Sequence, residues 1–368
     1  MLLRSPFSGA FGLDIGDLSI KLVQLAPSAF YERQYFKIKE LRTTSLPQGI
    51  IVNGEIQQPE SVRKKLLYLL GKDGGHFKPI RSTWVVANLP EPKTFLKLID
   101  VESSDDTLTS VDVVYQAKKH LPFELEEAYL DWQIITPTAT AAKKQVLIGA
   151  IPKTAADAYT FLLESVGLNP IALEMEAVAV SRSMITADKD YAGQARAILD
   201  LGGTRSSLII YDNNSIQFNT TLNFSGEVVT AAIEQGLKIE HGQAEDLKIK
   251  NGLKYDAHNH KYLTAVSAVA EKLIDEIKTA LLFYKEHFNN TNSISRITLC
   301  GGMANWENID NFISRQLKIT AHPGHPWKNL RNKKLYEYDK NKSLPLACVI
   351  GLALRGIQNP LQNNSHEK

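Results

Sequence analysis

Apolar and polar positions alternate from Phe11 to Leu25, with one interruption in the middle. An apolar run leads into Asp14-Ile15-Gly16, breaks at Asp17-Leu18 and resumes through Ile20, Leu22 and Leu25, which predicts two strands joined by a tight turn. The plan returns half a chain later: an apolar run reaches Asp200, passes Gly202-Gly203, Thr204 and Ser206, and continues to Tyr211. Similarity at so wide an interval points to a duplicated unit. A third apolar run, Ile297 to Cys300, ends in the paired glycines Gly301-Gly302, where backbone could come close to a flat ligand.

Other periodicities fill in the order of elements. Tyr35 to Thr43 alternates as a further strand. Val62, Leu66, Leu69 and Leu70 share one helical face between Pro59 and Gly71, residues suited to a helix start and stop. Thr83 to Leu89 reads as a compact strand. Residues 91–172 have their own sequence of strand (Thr94–Val101), helix (Thr107–His120), two strands (Tyr129–Thr136, Gln145–Ile151) and helix (Thr154–Val166). Pro122 stops the first of these helices. Ala155, Ala158, Tyr159, Leu162, Leu163 and Val166 give the second its core face, and Thr136–Ala142 reads as a hairpin loop. Helices are expected over Gly226–Lys238, Gln243–Lys250 and Tyr262–Phe288, and a last apolar helix over Pro345–Leu354.

Composition narrows the class. With 368 residues and 43% hydrophobic side chains the chain can build more than one core. Lys and Arg number 42 against 40 Asp and Glu, a formal +2, so no global field draws the protein to nucleic acid or anionic lipid. No apolar run is long enough to span a bilayer, and no secretory signal precedes Gly12. The two cysteines, Cys300 and Cys348, sit within apolar patterns and read as buried thiols of a reducing compartment. His258 and His260, without further ligands nearby in sequence, read as surface residues.

The first turn has two readings on its own residues. It is an ordinary hairpin with a turn glycine, or a pocket in which Gly16 adopts backbone angles closed to other residues and Asp14 holds a hydrated divalent cation beside an anion. Recurrence favours the pocket. Asp14-Ile-Gly, Asp200-Leu-Gly-Gly-Thr and Leu299-Cys-Gly-Gly resemble the phosphate-1, phosphate-2 and adenosine motifs of the actin-like ATPase superfamily. Trp84 to Phe95 and Gln116 to Gln133 resemble, within it, the PilM family of type IV pilus assembly proteins, a relative of FtsA. The likeness extends to about residue 357.

That resemblance implies an α/β, two-lobed, ribonuclease H-like fold: a first lobe from residues 1–90, 173–194 and 345–358, a second from 195–225 and 295–344, a 226–294 subdomain, and a disordered tail at 359–368. Residues 91–172 resemble the inserted 1C (SHS2-like) subdomain. It implies ATP with Mg2+ as ligands: Gly16, Ser19, Gly202, Gly203 and Thr204 donating to phosphates, Lys21 as a cationic partner, Asp14 and Asp200 on the metal, and Gly301 and Gly302 against the adenosine. Glu176, with Glu174 as second choice, would orient water. Glu245 and Lys248 would meet the base edge, unless they only form an exposed ion pair; Lys21 has the alternative of a strand lysine reaching solvent. Two residues depart from the pattern: Asp17 would repel phosphates unless it turns away or joins the metal shell, and Met303 replaces a small residue.

The function implied is that of a cytoplasmic adaptor at the inner face of the membrane. It would bind the cytoplasmic N-terminal tail of a PilN-like bitopic membrane protein beside the inserted subdomain, and other pilus platform proteins, without entering the membrane itself. Weak ATP hydrolysis and self-association are left open by the residues. The alternatives are an FtsA-like division protein, against which the polar residues 359–368 argue by lacking an amphipathic membrane helix, and a small-molecule kinase of the same superfamily.

Overall fold

The alternation at the N-terminus folds as the period requires. The computed structural model describes residues 6–28, 35–102, 108–135, 143–187, 189–191, 193–330 and 340–358. Strand β1 (Phe11–Ile15) pairs antiparallel with β2 (Ser19–Ser28), and β2 with β3 (Tyr35–Ser45). A small hairpin, β4 (Ile51–Val52) with β5 (Glu55–Ile56), leads to α1 (Pro59–Leu70), which starts on its proline and stops where Gly71 takes the left-handed conformation. β6 (Trp84–Leu89) then runs parallel to β1.

The chain next forms a three-stranded antiparallel sheet of β7 (Phe95–Glu102), β8 (Ala128–Ile135) and β9 (Lys143–Pro152), ordered β7-β9-β8. Helix α2 (Ser110–Lys118) packs Val113 and Ala117 on Ile99, Val101, Val146 and Ile148 of that sheet. It is shorter than its apolar pattern predicts: Thr109 and Asp112 cap each other's backbone in a capping box and fix the start. Thr107 and the loop 136–142 lie outside the described residues. Helix α3 (Lys153–Ser165) buries Ala156, Tyr159, Leu162 and Leu163, whereas Ala158, expected on the core face, is exposed because the buried seam runs through 156 and 159. β10 (Asn169–Met175) returns parallel to β6 and passes into α4 (Glu176–Met184).

The same plan then repeats. β11 (Ala195–Leu201) pairs antiparallel with β12 (Ser206–Asp212), and β13 (Ser215–Leu222) follows at the sheet edge. Helices α5 (Gly226–Leu237), α6 (His241–Asn251) and α7 (His260–His287) come next, then β14 (Ile294–Cys300), α8 (Ile309–Leu317) and β15 (Ala321–Pro323), both strands parallel to β11. The short α9 (Lys340–Ser343) precedes α10 (Ala347–Ile357). One sheet is ordered β10-β6-β1-β2-β3 and the other β13-β12-β11-β14-β15, so each has an antiparallel hairpin flanked by two parallel strands.

By compactness the chain divides into two units, Met1–Val180 with Ser215–Gln217 and Cys348–Lys368, and Ser181–Asn214 with Phe218–Ala347. In the first, Phe11, Leu13, Ile15 and Leu22 meet Leu66, Leu69, Tyr159 and Leu163. Helix α10 lies so close to β1 that a Cβ on Gly12 would come within 2.5 Å of the Ala353 amide and the Val349 carbonyl. In the second, α7 buries Tyr262, Val266, Ala270, Leu273, Ile277 and Tyr284 along one side. Each buried Val, Leu or Ile among them contributes about 1.5–3 kcal/mol on leaving water. Cys300 and Cys348 are both buried and unbridged.

Candidate functional site

The β1–β2 turn is held from three directions within the first unit. Gly16 N–H donates to the Ser19 carbonyl at 3.0 Å and closes the turn. Asn88, fully buried at the end of β6, accepts the Ile15 N–H at 2.7 Å through Oδ1 and donates through Nδ2 to the Ile15 carbonyl. The same Nδ2 reaches Glu176 Oε1 at 3.1 Å, so one amide fixes both the end of β1 and the carboxylate at the first residue of α4. Sequence reasoning missed Asn88; the signal was a lone amide in the apolar run Trp84–Leu89. Glu174, the other glutamate weighed for this place, is 5% exposed and accepts from Arg355 Nη1 at 2.7 Å.

Asp14 and Lys21 are cross-strand neighbours, and Lys21 Nζ lies 2.9 Å from Asp14 Oδ2. The lysine therefore does not run out to solvent. Gly16 is outside the left-handed region, and a Cβ there would meet only the Ser19 carbonyl at 3.4 Å. This corrects the expectation of special backbone angles: what the glycine offers is a low surface. Asp17 is 5% exposed, with Oδ1 accepting the Gly54 N–H at 3.1 Å.

The β11–β12 turn of the second unit is built more tightly. Gly202 N–H donates to the Arg205 carbonyl at 3.0 Å, and a Cβ on Gly202 would sit 2.3 Å from that oxygen. The Gly202 and Gly203 carbonyls accept the first two amides of α5, from Gly226 and Glu227, which docks the helix start on the turn. Gly301 follows β14 at φ 84°, ψ 169°, a region open essentially to glycine alone. A Cβ there would lie 2.4 Å from Asp200 Oδ1 and 2.3 Å from the Leu201 carbonyl. Gly302 is exposed with nothing near its missing side chain, while Met303 is buried in the core, its Cγ beside Gly226 at the start of α5.

Beneath Asp200, burial pushes the Cys300 thiol well up, and the neighbouring carboxylate adds to it. Lys328 donates to the Met184 carbonyl, and burial with Arg196 nearby brings its ammonium down to about 8. Lys248 pairs with Glu245 but not as an exposed ion pair, one of the two readings its helix left open. It is 5% exposed and donates to the Gly226 carbonyl at 3.1 Å, Thr230 Oγ1 at 2.8 Å and Glu245 Oε2 at 2.5 Å. Burial pushes the Glu245 carboxyl up, but hydrogen bonds from Lys248 and Thr230 overcome it and hold the group below its ordinary range. Thr230, absent from the sequence reading, ties the pair to α5. Thr204, in the turn itself, is partly exposed.

A second feature belongs to the first unit: a groove of about 450 Å³ between the β7-β9-β8 sheet, α3 and β10. Leu96, Leu130, Leu147, Leu173 and Met175 make it apolar, and Glu174 with Arg355 lie at one side. Tyr129 O–H donates to Asp157 at 3.0 Å across its rim. The family resemblance implied a peptide site beside residues 91–172, but its contact residues were not readable, because the lining runs from Leu89 to Arg355 in sequence. Among the described residues no helix is long and apolar enough to cross a membrane, and no three His, Cys, Asp or Glu residues are grouped to hold a metal.

Comparison with known proteins places this architecture. The family profile described as type IV pilus assembly protein PilM matches residues 12–357. A solved PilM-PilN type IV pilus biogenesis complex is similar at 23% identity and a TM-score of 0.80, covering 96% of this chain and 99% of that one. The ethanolamine utilization protein EutJ from Carboxydothermus hydrogenoformans (14% identity, TM-score 0.55, 96% and 92% covered) shares the fold. So does MreB 5 of Spiroplasma citri bound to AMPPNP (12%, 0.54, 94% and 95%). The cell division protein FtsA of Buchnera aphidicola subsp. Baizongia pistaciae (strain Bp) is 24% identical over 220 residues, 53% of this chain and 51% of that protein. The chain thus matches about half the length of that curated relative. The fold is actin-like, as the three glycine motifs implied.

Proposed function

The chain belongs to the PilM family of type IV pilus assembly proteins, and on that premise we propose that it is a nucleotide-dependent adaptor holding the cytoplasmic tail of a PilN-type membrane protein. The observation that carries this reading is the apolar groove beside the inserted sheet. Its five leucine and methionine walls suit alternate side chains of an extended peptide. Arg355 Nε, buried and without a hydrogen-bond partner among the described residues, is a donor for a peptide carbonyl. A tail bound there keeps the protein at the inner face of the membrane.

The nucleotide is Mg-ATP. Ser19, Gly203 and Thr204 donate to its phosphates, with Gly16 and Gly202 keeping the turns low enough to be approached, and Gly301 and Gly302 face the adenosine. Glu245 and Lys248, locked to each other and to α5, shape the base side. Asp14 and Asp200 offer hard carboxylate oxygens, the donor type that would hold Mg2+. Asn88 aims Glu176, which orients water for slow phosphoryl transfer. Residues 91–172 are in this reading the partner-binding subdomain.

The test is binding of a fluorescent peptide of the PilN cytoplasmic N-terminus with Mg-ATP present. Leu147→Asp puts a charge in the groove wall and should weaken binding at least about tenfold. No binding by the wild-type protein would overturn the adaptor reading. Calorimetry of Mg-ATP against Asp200→Ala tests the nucleotide half separately.

A further inference from the structure

Asp17, the carboxylate that departs from the phosphate-1 pattern, begins a chain of buried contacts that ends at the peptide groove. Its Oδ1 accepts the N–H of Gly54, in the two-residue turn between β4 and β5, where Asn53 and Gly54 take φ of 50° and 74°. The carbonyl of the same glycine accepts the hydroxyl of Tyr159 at 3.0 Å, and Tyr159, on α3, is only 1% exposed. The glycine has no slack on its remaining side: a Cβ there would be 2.2 Å from Pro90 Cβ. Pro90 directly follows β6 and leads the chain toward the inserted sheet, and α3 follows directly on β9 of that sheet. Lys93 and Glu55, 3.6 Å apart, add an exposed ion pair to the same junction.

One residue of a small hairpin is thus gripped by the phosphate turn, by α3 and by Pro90. Helix α3 supplies Ala156, Asp157 and Thr160 to the groove, and Asp157 is bonded to Tyr129 of β8 on the facing wall. Tyr159 stands between those groove residues on the same helix, so a shift of its hydroxyl moves the wall. A phosphate arriving between Gly16 and Ser19 brings negative charge beside the Asp17 carboxylate, and the two repel. The carboxylate is fixed to the Gly54 amide, so its displacement acts on Gly54 and, through the carbonyl, on Tyr159.

Resting on the adaptor reading above, we propose that Asp17, Gly54 and Tyr159 form the relay by which the phosphate turn sets the affinity of the groove for its peptide. Asp17 and Tyr159 are positioning residues: neither needs to touch nucleotide or peptide. The departure at Asp17 is then the part of the first turn that reports occupancy.

The experiment measures the dissociation constant of the labelled PilN peptide with Mg-ATP, with Mg-ADP and without nucleotide. Wild type should show a ratio between nucleotide states of about 5 or more, and the peptide should change ATP affinity by the same factor. Tyr159→Phe keeps the ring and deletes the hydroxyl; it and Asp17→Ser should bring the ratio below about 2, with nucleotide-free peptide affinity within twofold of wild type. Tyr284→Phe, which loses a buried bond to Asp212 in the other unit, controls for general destabilisation and should leave the ratio unchanged. A ratio that persists in Tyr159→Phe, or that falls equally in Tyr284→Phe, overturns the relay. A wild type that binds peptide equally in every nucleotide state overturns the relay and the nucleotide dependence together, and one that binds no peptide overturns the adaptor reading itself.

Discussion

The two glycine turns follow one sequence plan and are built to different mechanical standards. At the second, backbone crowds two of the glycines and docks the next helix: Gly202 lies against the Arg205 carbonyl, Gly301 against Asp200 and Leu201, and the turn carbonyls against the first amides of α5. At the first, the glycine has ordinary room, and rigidity comes from side chains instead, with Lys21 on Asp14, Asn88 on Ile15 and Asp17 on Gly54. A backbone cradle holds its shape whatever binds. A turn held by side chains can report what binds, since Asn88 and Gly54 belong to other elements than the hairpin.

The largest losses should come from adding one methyl group to the second turn. Gly301→Ala forces an alanine into backbone angles it does not adopt and drives Cβ into two oxygens, at a cost of about 3 kcal/mol or more. Gly202→Ala meets one fixed carbonyl and should cost about 2 kcal/mol. Denaturant unfolding of both variants checks the order. Equal tolerance of both would mean that the cradle gives way.

The next effect tests the cations behind the turns. Lys21 sits directly on Asp14, whereas Lys328 is buried on the Met184 carbonyl, near Arg196, Lys189 and Cys300. Its ammonium titrates near 8 in the folded protein, against 10.5 ordinarily. The folded chain thus releases this proton before the unfolded chain does, and stability rises with pH between about 8 and 10.5. Below pH 8 both states hold the proton and the cost of burying it is fully present. Relative to Lys328→Met, wild type should gain up to about 3 kcal/mol across that window. Unfolding curves of both proteins at pH 7.5 and 10 would show it, and parallel pH profiles would place Lys328 in contact with water.

How much of this was legible depended on whether a residue's partners were near in sequence. Helix α1 was readable to the residue, because Pro59 and Gly71 mark its ends locally. The seam of α7 through Val266, Ala270, Leu273, Ile277 and Tyr284 was readable because its period is its own. Of the two readings open for Lys248, the exposed ion pair rested on its visible neighbour at i−3, while Thr230 and the Gly226 carbonyl, which hold it in a buried place, are not visible in the sequence. Asn88 looked like one polar residue in a strand; only the return of β10 brings Glu176 to it. Asp17 was recognised as a departure, but the partner that explains it, Gly54, comes from a two-residue strand pair too short to have a period.

The smallest stability effect is the sharpest test of the contrast. Gly16→Ala places a Cβ 3.4 Å from the Ser19 carbonyl, an ordinary contact, at backbone angles open to alanine. Stability should change by less than about 1 kcal/mol, because no bond of the turn involves the added methyl. Function should not be so tolerant, since the methyl occupies the low surface over which phosphates approach. Mg-ATP affinity is expected to fall about tenfold, roughly 1.4 kcal/mol, with an unfolding midpoint close to wild type. A variant that instead unfolds as readily as Gly202→Ala would mean the first turn is a backbone cradle too. One that is stable and binds Mg-ATP unchanged would mean that phosphates do not cross Gly16, and the first turn would keep its role only through Ser19 and Asp14.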